Sequence, residues 1–452
     1  MAPRALFAST PGPSLLVSYR RLFAAPGAAA FTLAGLLGRL ALSMTGVSLV
    51  VLIAERRGSY GLAGTVAAAG LATGAIGMPL IGRLVDRHGQ ARVAVPAALY
   101  NAVPLFGLVL CVRLGAPDWT LYACWAACAA APNLGGMARA RWAHLHHDDP
   151  AARHVANSLE QALDELCFMA GPVLGMLLCT TVAPEAGLLT AGTLGTTGTL
   201  LFAAQKRTEP PLAGHPTARR GGADPAVLRH GSPLRTPGLR VLVLTFLATG
   251  AVFGSTEITT VAYADALGHK PVAGGLLALV AAGSCVAGLL FGLLAPRSAP
   301  GVRFLRGIAT MAALLLLPLA AGLGGAGFGL LGLALFAAGT GTAPTMVTGM
   351  TLVQELLPQR QLNEGMAVAV SGIVIGISAG AAIAGTVAEH APPGTGYALP
   401  AGAAGLALLI ALAGRRHLAP GGRPGAGSAV AAGSGAGPRA AENSERTVST
   451  AR

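Results

Sequence analysis

Five ionisable side chains interrupt long apolar stretches of this sequence: Arg39, Glu160, Asp164, Glu165 and Glu257. Glu160 and Asp164 are four residues apart, so on a helix they share one face. A charge at the centre of a membrane helix costs about 2.5–3.5 kcal/mol on insertion scales, which disfavours charges that have no role. Arg39 is the one basic member of this set, so the acids are its candidate partners. A carboxylate that loses such a partner in a low-dielectric site binds a proton, which is the chemistry of proton coupling.

Two of these acids also allow a simpler interpretation. Glu160 ends the stretch NSLE, in which Asn157 has the spacing of a helix N-cap. The preceding DDPAAR offers an earlier start, with Asp149 as the N-cap and Pro150 in the first turn. That start would place Glu160 about 15 Å along the helix. Glu257, within FGSTEITT, either lines an aqueous cavity or extends to the outer membrane interface.

The composition indicates that the elements carrying these residues are membrane helices. Of the 452 residues, 53% are hydrophobic and 11% are charged, and the mean hydropathy is +0.63. A soluble protein of this length needs more charged residues to cover its surface. The apolar residues form blocks of about 20, the length with which a helix crosses a bilayer. The sequence therefore predicts an all-α integral membrane protein.

Twelve such blocks divide the chain into two groups of six. We place the spans at 31–54, 60–82, 93–113, 118–138, 156–181, 185–205, 239–262, 271–295, 303–322, 328–352, 362–386 and 395–414. The predicted organisation is an N-terminal lead-in (1–30), a six-helix bundle (31–205), a linker (206–238), a second six-helix bundle (239–414) and a disordered Gly/Ala/Ser-rich tail (415–452).

The distribution of basic residues predicts the orientation. Most of the 31 Lys and Arg residues lie in the N-terminal lead-in, the linker, the C-terminal tail and the loops on the same side as these. The opposite loops contain Arg56, Arg57, Arg113 and Lys270. Because cytoplasmic loops carry the excess of basic residues, both termini are expected in the cytoplasm. The protein is expected to be a multi-pass protein of the plasma membrane.

The two halves also resemble each other. APNLGGM (131–137) closes the fourth span, and APTMVTGM (343–350) lies within the tenth. Each is followed by a polar loop with a proline and then by a Gly-rich span. Internal repeats of this kind build many secondary transporters, with a substrate site near the midplane between the halves. The two predicted bundles are therefore expected to be pseudo-symmetric.

The loop after the second span carries the motif GRLVDRHGQAR, in which Gly82, Asp86, Arg87 and Gly89 are followed by Arg92. On this motif the chain resembles the major facilitator superfamily, whose signature has the form G-x-x-x-D-R-x-G-R-R. The resemblance implies that Asp86 faces the cytoplasmic end of span 11 across the interface between the halves. It also implies that spans 1 and 5 line the interior of the first half, so we expect Arg39 to pair with Asp164 or Glu160. A carboxylate at a helix N-terminus is stabilised by about 0.3–1 kcal/mol. That contact exists only when the cytoplasmic side is closed. A second interpretation of the arginines is that they follow the positive-inside rule.

The fifth span contains CFMAGPVLG, in which Gly171, Pro172 and Gly175 match the G-P-x-x-G core of a motif similar to that of superfamily antiporters. Pro172 is expected to kink the helix, and the glycines allow close packing. The alternative interpretation is a packing kink with no role in transport. Drug antiporters of the superfamily usually carry an arginine within span 4, and LYACWAACAAAPNLGGM has none. The chain thus resembles actinobacterial drug and small-molecule efflux permeases, except that span 4 lacks this arginine.

These observations predict a proton-coupled secondary transporter that exports a small organic molecule by alternating access, and no enzyme activity. The sequence has no ATP-binding motif and no histidine in an apolar block, so we expect neither a cofactor nor a metal. The expected partners are a small-molecule substrate, protons and the lipid bilayer, without nucleic acid, and the expected functional unit is a monomer. Uptake of a sugar or amino acid is the alternative, followed by a non-transporting membrane sensor or scaffold.

Overall fold

The computed structural model describes residues 15–128, 131–211, 232–269, 272–294 and 298–418. The first half (15–211) contains α1 Leu15–Leu22, α2 Ala28–Arg57, α3 Tyr60–His88, α4 Gln90–Arg113, α5 Asp118–Ala127, α6 Leu134–Leu145, α7 Pro150–Thr181 and α8 Ala186–Ala204. The second half (232–418) contains α9 Pro237–Ala266, α10 Val272–Leu293, α11 Pro300–Leu314, α12 Leu316–Leu323, α13 Phe328–Leu356, α14 Leu362–His390 and α15 Ala398–Ala413. Single turns of 3₁₀-helix connect several of them.

Eleven helical segments of the described chain are long and apolar enough to cross a membrane. The predicted fourth span is the exception, because it is divided into α5 and α6. Pro132 lies in the break and has no backbone N–H to donate. Asn133 then caps α6 by accepting a hydrogen bond from the Gly136 N–H at 3.0 Å. α5 and α6 together occupy the fourth position, which gives the twelve-span fold predicted from the sequence.

The break changes the environment of two arginines. α6 continues to Leu145, past the predicted end of the span at 138. Arg139 and Arg141, which follow the predicted span 118–138 in the sequence, are therefore buried helical residues. Arg141 lies with its guanidinium carbon 3.9 Å from the ring centroid of Phe202.

The fifth span begins earlier than the predicted residue 156. α7 starts at Pro150, and the side chain of Asp149 accepts a hydrogen bond from the Ala152 N–H at 2.9 Å. The structure thus selects the earlier of the two starts considered above. Glu160 is consequently an interior residue of α7 and is fully buried, rather than a member of a capping box.

The C-terminal tail is not disordered from residue 415 as predicted. Residues Arg415–His417 form a 3₁₀ turn, and Leu418 is buried against Gly301 at the start of α11. The remainder of the tail (419–452) and the centre of the linker (212–231) lie outside the described residues, so the predicted domain limits there stay predictions.

Within each half, small residues let the helices approach closely. α2 packs on α7 and α8, and α9 packs on α14 and α15. A Cβ atom on Gly198 of α8 would lie 2.6 Å from the backbone nitrogen of Gly38 on α2. Lipid provides no hydrophobic drive between helices, so such close van der Waals contacts stabilise a membrane bundle.

The two halves meet along a seam formed by α3 against α14 and by α7 against α10 and α13. We call the end of the bundle at which α3 turns into α4 the basic end, because the predicted basic loops lie there. Hydrogen bonds across the seam extend from that end as far as Glu165. In the described ranges, no hydrogen bond joins the halves on the far side of Glu165 from that end. The bundle is closed at the basic end.

Candidate functional site

A charged cluster lies inside the first half, where α2, α6 and α7 meet. Arg39 Nη1 lies 2.9 Å from Asp164 Oδ1 and 2.7 Å from Glu160 Oε2. The ion pair predicted from the sequence is therefore present, and it includes both acids. Arg139 Nη2 lies 2.7 Å from the other oxygen of Asp164. The result is two cations against two anions in a buried site.

The members of the cluster differ in how firmly they are held. Glu160 is fully buried, and its Oε1 accepts a 2.7 Å hydrogen bond from Trp142 Nε1. Trp142 in turn packs edge-on against Phe31, with the ring centroids 4.8 Å apart. Asp164 keeps 19% of its side chain exposed, so it is the acid of the cluster with access to solvent.

Glu165 is separate from this cluster although it is the next residue along α7. Its Oε1 accepts hydrogen bonds from Gln161 Nε2 at 3.0 Å and from Ser284 Oγ at 2.9 Å. Ser284 belongs to α10 in the second half, and its hydroxyl lies 2.7 Å from that of Thr342 on α13. Glu165 thus joins the two halves through neutral partners.

The loop motif closes the basic end of the seam. Asp86 accepts hydrogen bonds from the backbone N–H groups of Asn363 at 3.0 Å and Glu364 at 2.8 Å, and from Asn363 Nδ2 at 2.7 Å. These N–H groups open α14, so the carboxylate sits at a helix N-terminus as the resemblance implied. Arg83 Nη2 adds a 2.6 Å ion pair with Glu364.

Close backbone approach explains the first glycine of the motif. A Cβ atom on Gly82 would lie 2.7 Å from the carbonyl oxygen of Asn363. Gly89 has a φ of 95°, in the region that favours glycine, where α3 ends and α4 begins. Arg87 and Arg92 are exposed and are not brought to this contact, which favours the positive-inside interpretation for these two.

The fifth-span motif packs against the first span. A Cβ atom on Gly175 would lie 2.8 Å from Ser48 Oγ, and one on Gly171 would collide with Ser43 of α2. Pro172 lies between them inside a helix that is continuous from Pro150 to Thr181. The geometry accounts for the glycines through packing, and the role of the motif in exchange stays a prediction.

Glu257 lies on the same face of α9 as a buried core residue. It follows the fully buried Phe246 by eleven residues, or about three turns, and therefore shares its face of α9. Leu244, which is 52% exposed, marks the opposite side. Glu257 is itself exposed, so the aqueous cavity and the outer membrane interface both stay predictions for this residue.

Several polar residues that bear on the site did not stand out in the sequence. Arg139 resembled an ordinary basic loop residue, and Ser284 and Glu364 resembled common residues of a span and a loop. Asn157 bonds to Thr351 Oγ1 at 3.0 Å across the seam. The one available signal was the pair Pro132 and Asn133, which predicts a helix start before Arg139.

Comparison with known proteins identifies the type of molecule. A family model described as Major Facilitator Superfamily matches residues 31–330. The uncharacterized MFS-type transporter y4rN of Sinorhizobium fredii (strain NBRC 101917 / NGR234) is 27% identical over 385 residues, which cover 82% of this chain and 91% of that protein.

Solved structures share the fold at low sequence identity. The human organic anion transporter MFSD10 (TETRAN) is 18% identical, with a TM-score of 0.64 and coverage of 88% of this chain and 99% of that one. A bacterial homologue of the iron transporter ferroportin in an outward-facing state is 14% identical, with a TM-score of 0.62 and coverage of 86% and 98%. The E. coli fucose:proton symporter FucP is 16% identical, with a TM-score of 0.61 and coverage of 85% and 98%.

Proposed function

Because the chain belongs to the major facilitator superfamily and is a transmembrane transporter, we propose that it exports a small organic molecule in exchange for protons by alternating access. The basic end lies in the cytoplasm of a plasma-membrane protein, in accord with the positive-inside rule. With that orientation, the conformation described above is closed to the cytoplasm and open to the outside. The protein works as a monomer in this proposal.

The observation that carries the proposal is the charged cluster inside the first half. Arg39 and Arg139 balance Glu160 and Asp164 only while α2, α6 and α7 keep their present positions. The second half holds α6 directly, because Gln354 Nε2 of α13 donates a 3.1 Å hydrogen bond to the Arg139 carbonyl. Opening of the seam breaks that bond and frees α6 to move.

Movement of α6 changes the charge balance at Asp164. Withdrawal of Arg139 leaves Asp164 with one cation, which is shared with Glu160. A carboxylate that loses a cationic partner in a low-dielectric site binds a proton more readily. The acids of α7 thus give proton binding a dependence on conformation, which is what coupling requires.

The direction of transport rests on the fifth-span motif and on the cavity. Gly171, Pro172 and Gly175 resemble the antiporter motif and set the contact of α7 with α2. In this proposal Glu257, an exposed acid with no ion pair to a described residue, lines the outward-facing cavity. Uptake of a sugar or amino acid is the second candidate, because the fold is also that of a fucose:proton symporter.

The test is proton release or uptake by purified protein in weakly buffered detergent on addition of antibiotics, sugars and amino acids in turn. We expect a compound of the exported class to displace protons from the wild type and not from Asp164→Asn or Glu165→Gln. Asp148→Asn, at an exposed loop position, is the matched control. Binding of a compound without any proton change, measured by calorimetry, would contradict proton exchange and favour a facilitator.

A further inference from the structure

Glu165 contacts both halves of the molecule and has no cationic partner among the described residues. Its Oε1 accepts the bonds from Gln161 and Ser284, and the latter crosses the seam from α7 to α10. The other oxygen, Oε2, accepts no hydrogen bond from a described residue. It is also not among the buried polar atoms that lack a partner. One oxygen therefore holds the seam, while the other is available to take a proton.

The groups around Glu165 leave its charge uncompensated. On the same helix, Asp164 is the neighbouring acid, and Arg39 and Arg139 form their ion pairs with Asp164. From α10, the neighbouring titratable group is the Cys285 thiol, and α13 contributes only the hydroxyl of Thr342. An ionised carboxylate here relies on neutral donors.

Thr342 orients the donor. Its hydroxyl lies 2.7 Å from Ser284 Oγ and 2.7 Å from the Gly339 carbonyl oxygen, and it has a single hydrogen to donate. When Thr342 donates to Ser284, the hydrogen of Ser284 remains available for Glu165. The three side chains then form a directed chain that ends on the carboxylate.

We propose that Glu165, in addition to Asp164, carries a proton of the exchange, and that Ser284 and Thr342 are positioning residues that make closure of the seam depend on the protonation of Glu165. This inference rests on the proposed proton exchange. A hydrogen bond to an ionised group is roughly twice as strong as one between neutral groups. Protonation at Oε2 from the open side removes the charge and weakens the Ser284 bond. The seam then opens at the basic end, and the proton leaves to water there, which regenerates the carboxylate.

The experiment measures the opening of the basic end against pH, without any substrate. Spin labels are attached to Asp148→Cys in the first half and Arg306→Cys in the second, in a background without the six native cysteines. The distance between the two labels is measured by double electron–electron resonance in lipid nanodiscs over a range of pH. For otherwise native protein we expect a shift from a short to a longer distance as the pH falls.

Substitutions at Glu165 and Ser284 separate the proton carrier from the positioning residue. Glu165→Gln should give the longer distance at every pH and take up fewer protons than the native protein in a pH jump. Ser284→Ala should lose the pH dependence of the distance but keep the proton uptake of the native carboxylate. Ser284→Thr, which retains the hydroxyl, should restore the dependence, and Thr342→Val should reduce it.

Two results would overturn the inference. The first is an unchanged pH dependence in Glu165→Gln, and the second is no pH dependence in the native protein. The proton-release assay distinguishes this failure from failure of the proposed function. Release retained in Glu165→Gln but lost in Asp164→Asn keeps proton exchange and leaves Asp164 as the carrier. No release from the wild type with any bound compound removes proton exchange itself.

Discussion

At the scale of single residues, two neighbouring acids on α7 have opposite environments. Asp164 is held by guanidinium groups from α2 and α6, whereas Glu165 is held by a hydroxyl and an amide. Adjacent positions on a helix point about 100° apart, which places one side chain inside the first half and the other on the seam. Asp164 therefore balances the charge of the cluster, and Glu165 forms a contact between the halves.

Substitution of Asp164 should remove coupling. Asp164→Asn leaves Arg39 and Arg139 without their shared anion, and removal of one partner from a buried ion pair costs about 3–5 kcal/mol. We expect pH-gradient-driven transport in proteoliposomes to fall to background and the unfolding temperature in detergent to drop. The exposed Asp148→Asn should change neither. Full coupling in Asp164→Asn would exclude it from the proton path.

The indole of Trp142 should contribute to stability through Glu160. Trp142→Phe removes the N–H that satisfies a buried carboxylate oxygen, and an unsatisfied buried group costs about 1–3 kcal/mol. We expect a lower midpoint in thermal unfolding of the detergent-solubilised protein. Trp119→Phe is the matched control, because Trp119 is 69% exposed on α5. Equal midpoints for the two variants would show that Glu160 finds another donor.

At the scale of helices, backbone contacts decide which elements form the seam. α3 and α14 approach so closely at Gly82 that no side chain fits there. The Asp86 and Arg83 contacts with the start of α14 depend on that approach. The glycine therefore matters to closure as much as the charged residues of the motif.

A larger residue at position 82 should favour opening of the basic end. The side chain in Gly82→Val would overlap the Asn363 carbonyl, and the seam must separate to accommodate it. We expect the Asp148–Arg306 label distance to lengthen at every pH. Gly74→Val, on the same helix but facing open space, should leave the distance unchanged. A native distance in Gly82→Val would mean that α14 shifts locally without opening the seam.

At the scale of the whole molecule, transport requires the halves to separate at the basic end. Asn157 of α7 donates to Gln354 Oε1 of α13 at 2.8 Å, so these positions face each other across the closed seam. Other seam contacts, such as the bond from the Tyr19 hydroxyl to the Leu289 carbonyl, lie at the same end. Closure is therefore distributed over several helices of both halves.

A reversible link across the seam should stop transport. In Asn157→Cys with Gln354→Cys, a short reducible thiol cross-linker should hold the halves together and abolish transport of a compound found in the proton-release screen. Reduction should restore the rate, and each single cysteine should be insensitive to the reagent. Undiminished transport by fully cross-linked protein would show that the two halves do not move apart at this point.

The sequence by itself determined the fold class, the twelve spans, the motif between α3 and α4 and the acids of α7. These follow from local properties, since span length is set by bilayer thickness and charges stand out in apolar helices. The pairing of Arg39 with Glu160 and Asp164 followed from the few charges available and from the resemblance.

Only the tertiary structure decided the partners that complete the site. Arg139 enters it because Pro132 and Asn133 divide the fourth span, and Ser284 and Glu364 enter it from the other half of the chain. Serine, arginine and glutamate at such positions are ordinary in sequence. Their roles come from contacts between residues more than one hundred positions apart, or from a local break in a helix, and hydropathy contains neither.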